Sequence, residues 1–269
     1  MTCGAALRPR SLFLSPGGVL QHRLVWGESG PDMILVPGIT SPAALWGFVA
    51  ERLAAFARVH VVDVRGRGLS DHRPDLSYRE RDCAADILAL ADTLDRPILL
   101  GHSMGARIGV AAAARAPERF RCLIAVDPPV SGPGRRPYPA QLDWYLEAIA
   151  EVSNGGGIEA ARRAVPHWNE EQVALRATWL PTCSVEAVTQ AYHSFHEDSM
   201  HDLLPAVACP SLLIYAEQGG VISDADAAEI VNLLPSGRAV RIDGAGHMIP
   251  WDQLDAFVET VRDYLTRQA

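Results

Sequence analysis

Apolar residues in this chain gather in short runs at positions 33–36, 59–64, 97–100, 123–126, 212–215 and 239–242. Runs with so little polar alternation suit strands covered on both faces, as in a parallel sheet with helical crossovers. The segments between them, such as 43–56 and 78–94, carry apolar residues at helical spacing. Strand and helix therefore alternate, and the pattern predicts a doubly wound α/β core. Two further strands precede it, one over 11–14 and one over 20–26, joined by a turn at 15–18. Arg8 and Arg10 ahead of the first apolar residues superficially suggest a secretion signal, but Pro16, Gly17 and Gly18 cut that segment too short.

The alternation breaks after Asp127. The stretch from Pro128 to Pro137 is rich in proline and glycine and leads into mostly helical sequence, and strand character returns only near Ser211. The expected organisation is a core formed by 1–130 and 206–269, with 131–205 inserted after the sixth strand as a helical lid. Over the C-terminal edge of the sheet such an insertion can exclude water and shape a pocket. The alternative is a helical excursion that only adds core. Gly155, Gly156 and Gly157 read as a local turn within it.

Composition narrows the function classes. Hydrophobic residues make up 48% and charged residues 21% of the 269 positions, ordinary globular usage that argues against a disordered chain. No apolar stretch approaches the length of a membrane span. The net charge of −8 disfavours non-specific nucleic-acid binding and leaves a small molecule as the expected partner. Five scattered cysteines without a C-x-x-C pair indicate neither a disulfide framework nor a zinc site, which fits a reducing cytoplasm. Oligomeric state is not legible.

Candidate chemistry centres on Gly101-His102-Ser103-Met104-Gly105, set between the apolar run 97–100 and the alanine-rich segment 106–116. A serine hydroxyl is a poor nucleophile unless it is held clear of its neighbours and given a base, and a strand-to-helix turn flanked by glycines does the first. His247, in Gly246-His247-Met248 after the last predicted strand, is the candidate base, because loops following parallel strands collect on one edge of the sheet. His102 is read as a pocket wall or strand-end partner, and His167, His193, His196 and His201 as packing or surface residues of the lid. The orienting acid has three candidates. Enzymes of this architecture commonly place it after the penultimate strand, where Glu217-Gln218-Gly219 has glycine at the expected position. Asp127, ending the preceding strand, is the favoured acid, with Glu217 and then Asp224 as alternatives. The backbone N–H groups of Met104 and of Ile39, in Pro37-Gly38-Ile39-Thr40, are the candidate oxyanion donors.

On these residues the chain resembles the α/β-hydrolase superfamily, and Asp63-x-Arg65-Gly66-x-Gly68-x-Ser70 looks like that superfamily's turn after its fourth strand. Val36-Pro37-Gly38-Ile39-Thr40-Ser41-Pro42, Trp46 to Leu53, Val126 to Arg136 and Gly246 to Asp252 are more specifically similar to the N-formylmaleamate deformylases of bacterial nicotinate degradation. That resemblance implies hydrolysis of N-formylmaleamate to maleamate and formate by a serine, histidine and aspartate, with the acid at Asp127. It also implies that no metal or organic cofactor is required. A substrate of this kind is anionic, and Arg107, Arg135 and Arg136 come into view as carboxylate partners, although each reads better as a surface ion-pairing residue.

Two other classes remain. A related hydrolase would act on another small acylated amide, an ester or a carbon–carbon bond in a ring-cleavage product. A ligand sensor on the same fold would need neither a working base nor an oxyanion loop.

Overall fold

The computed structural model describes residues 8–15 and 18–268. Eight strands form one sheet: β1 (Arg10–Leu14), β2 (Gln21–Trp26), β3 (Asp32–Val36), β4 (Arg58–Val62), β5 (Ile98–His102), β6 (Cys122–Val126), β7 (Ser211–Ala216) and β8 (Gly237–Ile242). Their order across the sheet is β1-β2-β4-β3-β5-β6-β7-β8. β1 and β2 pair antiparallel, β2 runs antiparallel to β4, and every pair from β4 to β8 is parallel. The expected first strand is therefore an antiparallel edge element. Pro16 and Gly17 of the turn expected at 15–18 lie outside the described residues.

The continuous apolar runs have the predicted cause. Along β3, Met33 and Leu35 join the core on one face while Ile34 and Val36 join the core on the other. In β6, Cys122, Ile124 and Val126 alternate with Leu123 and Ala125 in the same way. One face is covered by α1 (Gly47–Leu53) and α10 (Leu254–Gln268), the other by α2 (Glu80–Ala91), α3 (Met104–Arg115) and α8 (Asp224–Leu233). Two runs depart from expectation. β4 ends at Val62, short of the expected Val64, and Asp63 follows with its carboxylate accepting hydrogen bonds from the Ala43 and Leu69 N–H groups and pairing with His22. β8 is an edge strand, with Ala239, Val240 and Arg241 exposed.

Between β6 and β7 the chain forms α4 (Leu142–Glu151), α5 (Gly157–Ala164), α6 (Glu170–Trp179) and α7 (Val185–Glu197). The glycine triplet forms a kink between α4 and α5, where Gly155 and Gly157 take positive φ of 97° and 49°. Asn169 and Gln172 form a reciprocal capping box that starts α6. A short helix, α9 (Ile249–Asp252), precedes α10. Among the described residues no helix is long and apolar enough to cross a membrane.

Candidate active site

Ser103 stands between β5 and α3 with φ of 54°, a left-handed conformation that is strained for a residue with a side chain. Its neighbours make that turn possible. A Cβ at Gly101 would lie 2.2 Å from the Gly105 carbonyl oxygen, and one at Gly105 would lie 1.9 Å from that of Val36. Only hydrogen fits at either position, so the two glycines of the pentapeptide let β3, β5 and α3 meet. The Ser103 N–H continues the sheet by donating to the Val126 carbonyl at 2.8 Å. The side chain is thereby left to face the loops at the C-terminal edge of the strands.

His247 reaches the same edge from the loop after β8. Its Nε2 lies 3.0 Å from Ser103 Oγ, and its Nδ1 lies 2.6 Å from Asp127 Oδ2. A carboxylate only accepts, so Nδ1–H donates to Asp127 and the Nε2 lone pair faces the serine hydroxyl. Asp127 is fully buried, has a positive φ of 46°, and accepts at Oδ1 from the Ala216 N–H. The two alternative acids point elsewhere. Glu217 accepts from the Gly244 N–H and Asp224 from the Tyr215 hydroxyl, and both face Arg241. Gly219 sits in a tight place: a Cβ there would come within 2.9 Å of Ala216 Cβ, 3.1 Å of Asp127 Oδ2 and 3.2 Å of the His247 backbone nitrogen. Gly219 thus lets the loop after β7 lie close against the Asp127 carboxylate.

His102 holds this loop. Its Nε2–H donates to the His247 carbonyl at 2.9 Å, while burial and the nearby His247 imidazole pull its own pKa down to about 3. It is both a wall and a strand-end partner. Tyr138 comes from the proline-rich stretch after β6, and its hydroxyl lies 3.4 Å from His247 Nε2 and accepts from the Tyr145 hydroxyl at 3.3 Å. Burial raises the pKa of both phenols and keeps them neutral. His196 orients Tyr138 by accepting from its backbone N–H at 3.3 Å.

Met104 is the first residue of α3, so its N–H has no acceptor in a preceding turn. Ile39 lies in the loop after β3 and lines the same cavity as Ser103. Arg67 braces that loop: its Nε donates to the Ile39 carbonyl at 3.1 Å, and its other donors reach the Arg65 and Ala187 carbonyls. Gly66 and Gly68 take positive φ in the intervening turn, and Arg65 forms a two-pronged ion pair with Asp86. The glycine-rich turn thus supports the loop that carries Ile39.

Ser103 and His247 open onto a cavity of ≈ 460 Å³ whose far wall is formed by Trp144, Tyr145, Val165, Trp168 and Arg176. The arginines considered from sequence are not among the residues that line it. Arg107 is not a surface residue: it is fully buried, pairs with Glu80 at 2.6 Å and donates to the carbonyls of Pro129, Ser131, Ser194 and Asp198. Arg135 pairs with Glu229 and Arg136 with Asp226. Sequence reasoning missed Tyr138 and Arg176. A signal for the second was present, since Val173, Arg176 and Leu180 recur at i, i+3 and i+7 and set an arginine on a buried helix face.

The sheet order, the turn at Ser103 and the loop residues around it define a hydrolase of the α/β class. A model of the α/β hydrolase fold matches residues 31–254, and the chain belongs to that family. It is similar to N-formylmaleamate deformylase of Pseudomonas putida, with 50% identity over 94% of this chain and 95% of that one. The crystal structure of a serine-to-alanine variant of N-formylmaleamic acid deformylase from Pseudomonas putida S16 superposes with a TM-score of 0.91 at 46% identity, covering 94% of this chain and all (100%) of that one. A more distant relative is 2-(acetamidomethylene)succinate hydrolase of Mesorhizobium japonicum, 31% identical over 82% of this chain and 83% of that one.

Proposed function

We propose that the protein hydrolyses N-formylmaleamate to maleamate and formate, using Ser103 as nucleophile, His247 as general base and acid, and Asp127 as the residue that orients the imidazole. The observation that carries the reading is the unbroken hydrogen-bonded series from Ser103 Oγ through His247 to a buried Asp127, at the mouth of a cavity large enough for a small ligand. The similarity to the deformylases supports the substrate.

In this mechanism His247 Nε2 takes the hydroxyl proton as Ser103 Oγ attacks the formyl carbon. The resulting oxyanion accepts hydrogen bonds from the N–H groups of Ile39 and Met104. Collapse breaks the C–N bond, the Nε2 proton passes to the departing nitrogen, and maleamate leaves a formyl ester on Ser103. Water then gives a proton to His247 and attacks that ester, returning the proton to Ser103 and releasing formate. The leaving nitrogen bears a second acyl group, so it departs more readily than from an ordinary amide.

Helices α4 to α7 act as a lid in this reading, because Tyr138, Trp144, Tyr145, Trp168 and Arg176 all enter the cavity from the segment between β6 and β7. The enzyme works in the cytoplasm, in nicotinate catabolism, on a small anionic substrate and without a cofactor. A second reading, hydrolysis of another small anionic N-acyl compound, is favoured by the 31% identity to 2-(acetamidomethylene)succinate hydrolase.

Quenching the reaction during turnover and mapping the peptide that contains Ser103 tests the covalent step. A formyl group on Ser103 with N-formylmaleamate is the expected result. Turnover that survives Ser103→Ala at the wild-type rate would overturn the mechanism.

A further inference from the structure

Arg176 is 3% exposed, and its Nε is buried without a hydrogen-bond partner. Among the described residues it forms no ion pair, and its Cζ lies 5.7 Å from the ring centroid of Trp168. The groups that bear on its charge are Cys183 and Tyr145, neither of them a carboxylate, and burial lowers its pKa. Other buried arginines of this protein are saturated: Arg65 grips Asp86, Arg67 holds three carbonyls, and Arg107 holds Glu80 and four carbonyls. Arg23 also has orphaned donors, but it feels the charge of Asp32 and lies outside the cavity. Removing a cation from water without giving it a counter-charge is costly. A fold that keeps one on the wall of its cavity keeps donors ready for an anion.

The surroundings define that anion. Arg176 is the one permanent charge among the described residues that line the cavity, and no aspartate or glutamate lines it. Trp168 fixes the guanidinium from one side and is itself stacked on Trp251 at 4.9 Å and 20°. A planar, pre-oriented guanidinium in an aromatic, weakly hydrated wall suits two parallel hydrogen bonds to a carboxylate.

We propose that Arg176 is the carboxylate-binding residue of the cavity and selects flat, anionic N-acyl amides, holding the charged end of the substrate while the acyl carbon meets Ser103. This deepens the deformylase reading and rests on it for the identity of the acyl group. The aromatic side chains of Trp144 and Tyr145 enclose the conjugated middle of such a molecule.

Two measurements separate failure of this proposal from failure of the deformylase reading. The first is kcat/KM for formate release from N-formylmaleamate and from the neutral analogue in which methyl replaces the carboxylate. In the Arg176→Met protein the preference for the anionic substrate should fall on the order of 100-fold, mostly through KM, and Arg176→Lys should recover part of it. An unchanged preference, including equal loss on both substrates, would overturn the proposal. The second needs no turnover: maleamate should protect Ser103 from a fluorophosphonate in the wild type, and the protecting concentration should rise on the order of 100-fold in Arg176→Met. Equal protection of both proteins, or of neither, counts against Arg176 whatever the substrate proves to be. Fluorophosphonate labelling without maleamate verifies that the variant has folded.

Discussion

A side-chain carbon at Gly219 would stand 3.1 Å from Oδ2 of Asp127, so the loop after β7 lies close against the acid at the end of β6. In the proposed mechanism Asp127, at the end of β6, is the acid that orients His247, and the two side chains lie 2.6 Å apart. Replacing Asp127 with asparagine keeps the shape but removes the acceptor that holds the imidazole in its working tautomer. Turnover of Asp127→Asn should fall by about 10³- to 10⁴-fold, whereas Glu217→Gln should stay within about threefold of the wild type. Steady-state kinetics on both variants decides this, and a dead Glu217→Gln beside an active Asp127→Asn would reverse the assignment.

Arg107 shows what a buried arginine looks like when it is structural. It gathers Glu80 of α2 with the carbonyls that lead into and out of the inserted helices. Removing it leaves Glu80 buried with an unpaired charge. Arg107→Ala should therefore lose about 3 to 5 kcal/mol of stability, a fall on the order of 10 °C in Tm. Thermal melting is the check. A melting temperature within about 2 °C of the wild type would show that the cluster is not a stabilising node.

The depressed pKa of His102 has a consequence for stability against pH. An unfolded histidine titrates near pH 6.5, whereas His102 in the fold stays neutral down to about 3. Between those limits the unfolded chain binds the proton and the folded one does not, so stability falls as pH drops from about 6.5 towards 3. From pH 7 to pH 5 the contribution is about 2 kcal/mol. His60 and His201, also depressed by burial, act in the same direction. His102→Gln retains a donor for the His247 carbonyl and should lose less Tm over that interval. An equally steep decline would show that His102 does not titrate on unfolding.

Much of this arrangement is legible in the sequence, for local reasons. The strand runs and the glycines around Ser103 are written in consecutive residues, and the position of His247 follows from parallel topology alone. The acid was harder, because three candidates at neighbouring strand ends differ only in where their side chains point. Arg107 read as a surface residue since charge in a helix ordinarily faces water, and its partners lie in the distant segments 129–131 and 194–198. Arg176 and Tyr138 were missed for the same reason. The helical spacing of Val173, Arg176 and Leu180 marks a buried face, but what that face meets depends on how the inserted helices fold back over the sheet.

The central claim is that Ser103, activated by His247, removes the formyl group of N-formylmaleamate. Its most direct test is formate release from that compound by the wild type and by Ser103→Ala. Stoichiometric formate and maleamate from the wild type, with a loss on the order of 10⁶-fold in the variant, is the predicted result. Formate released at comparable rates by both proteins would contradict the role of Ser103, and none from a wild type whose serine still reacts with a fluorophosphonate would contradict the substrate.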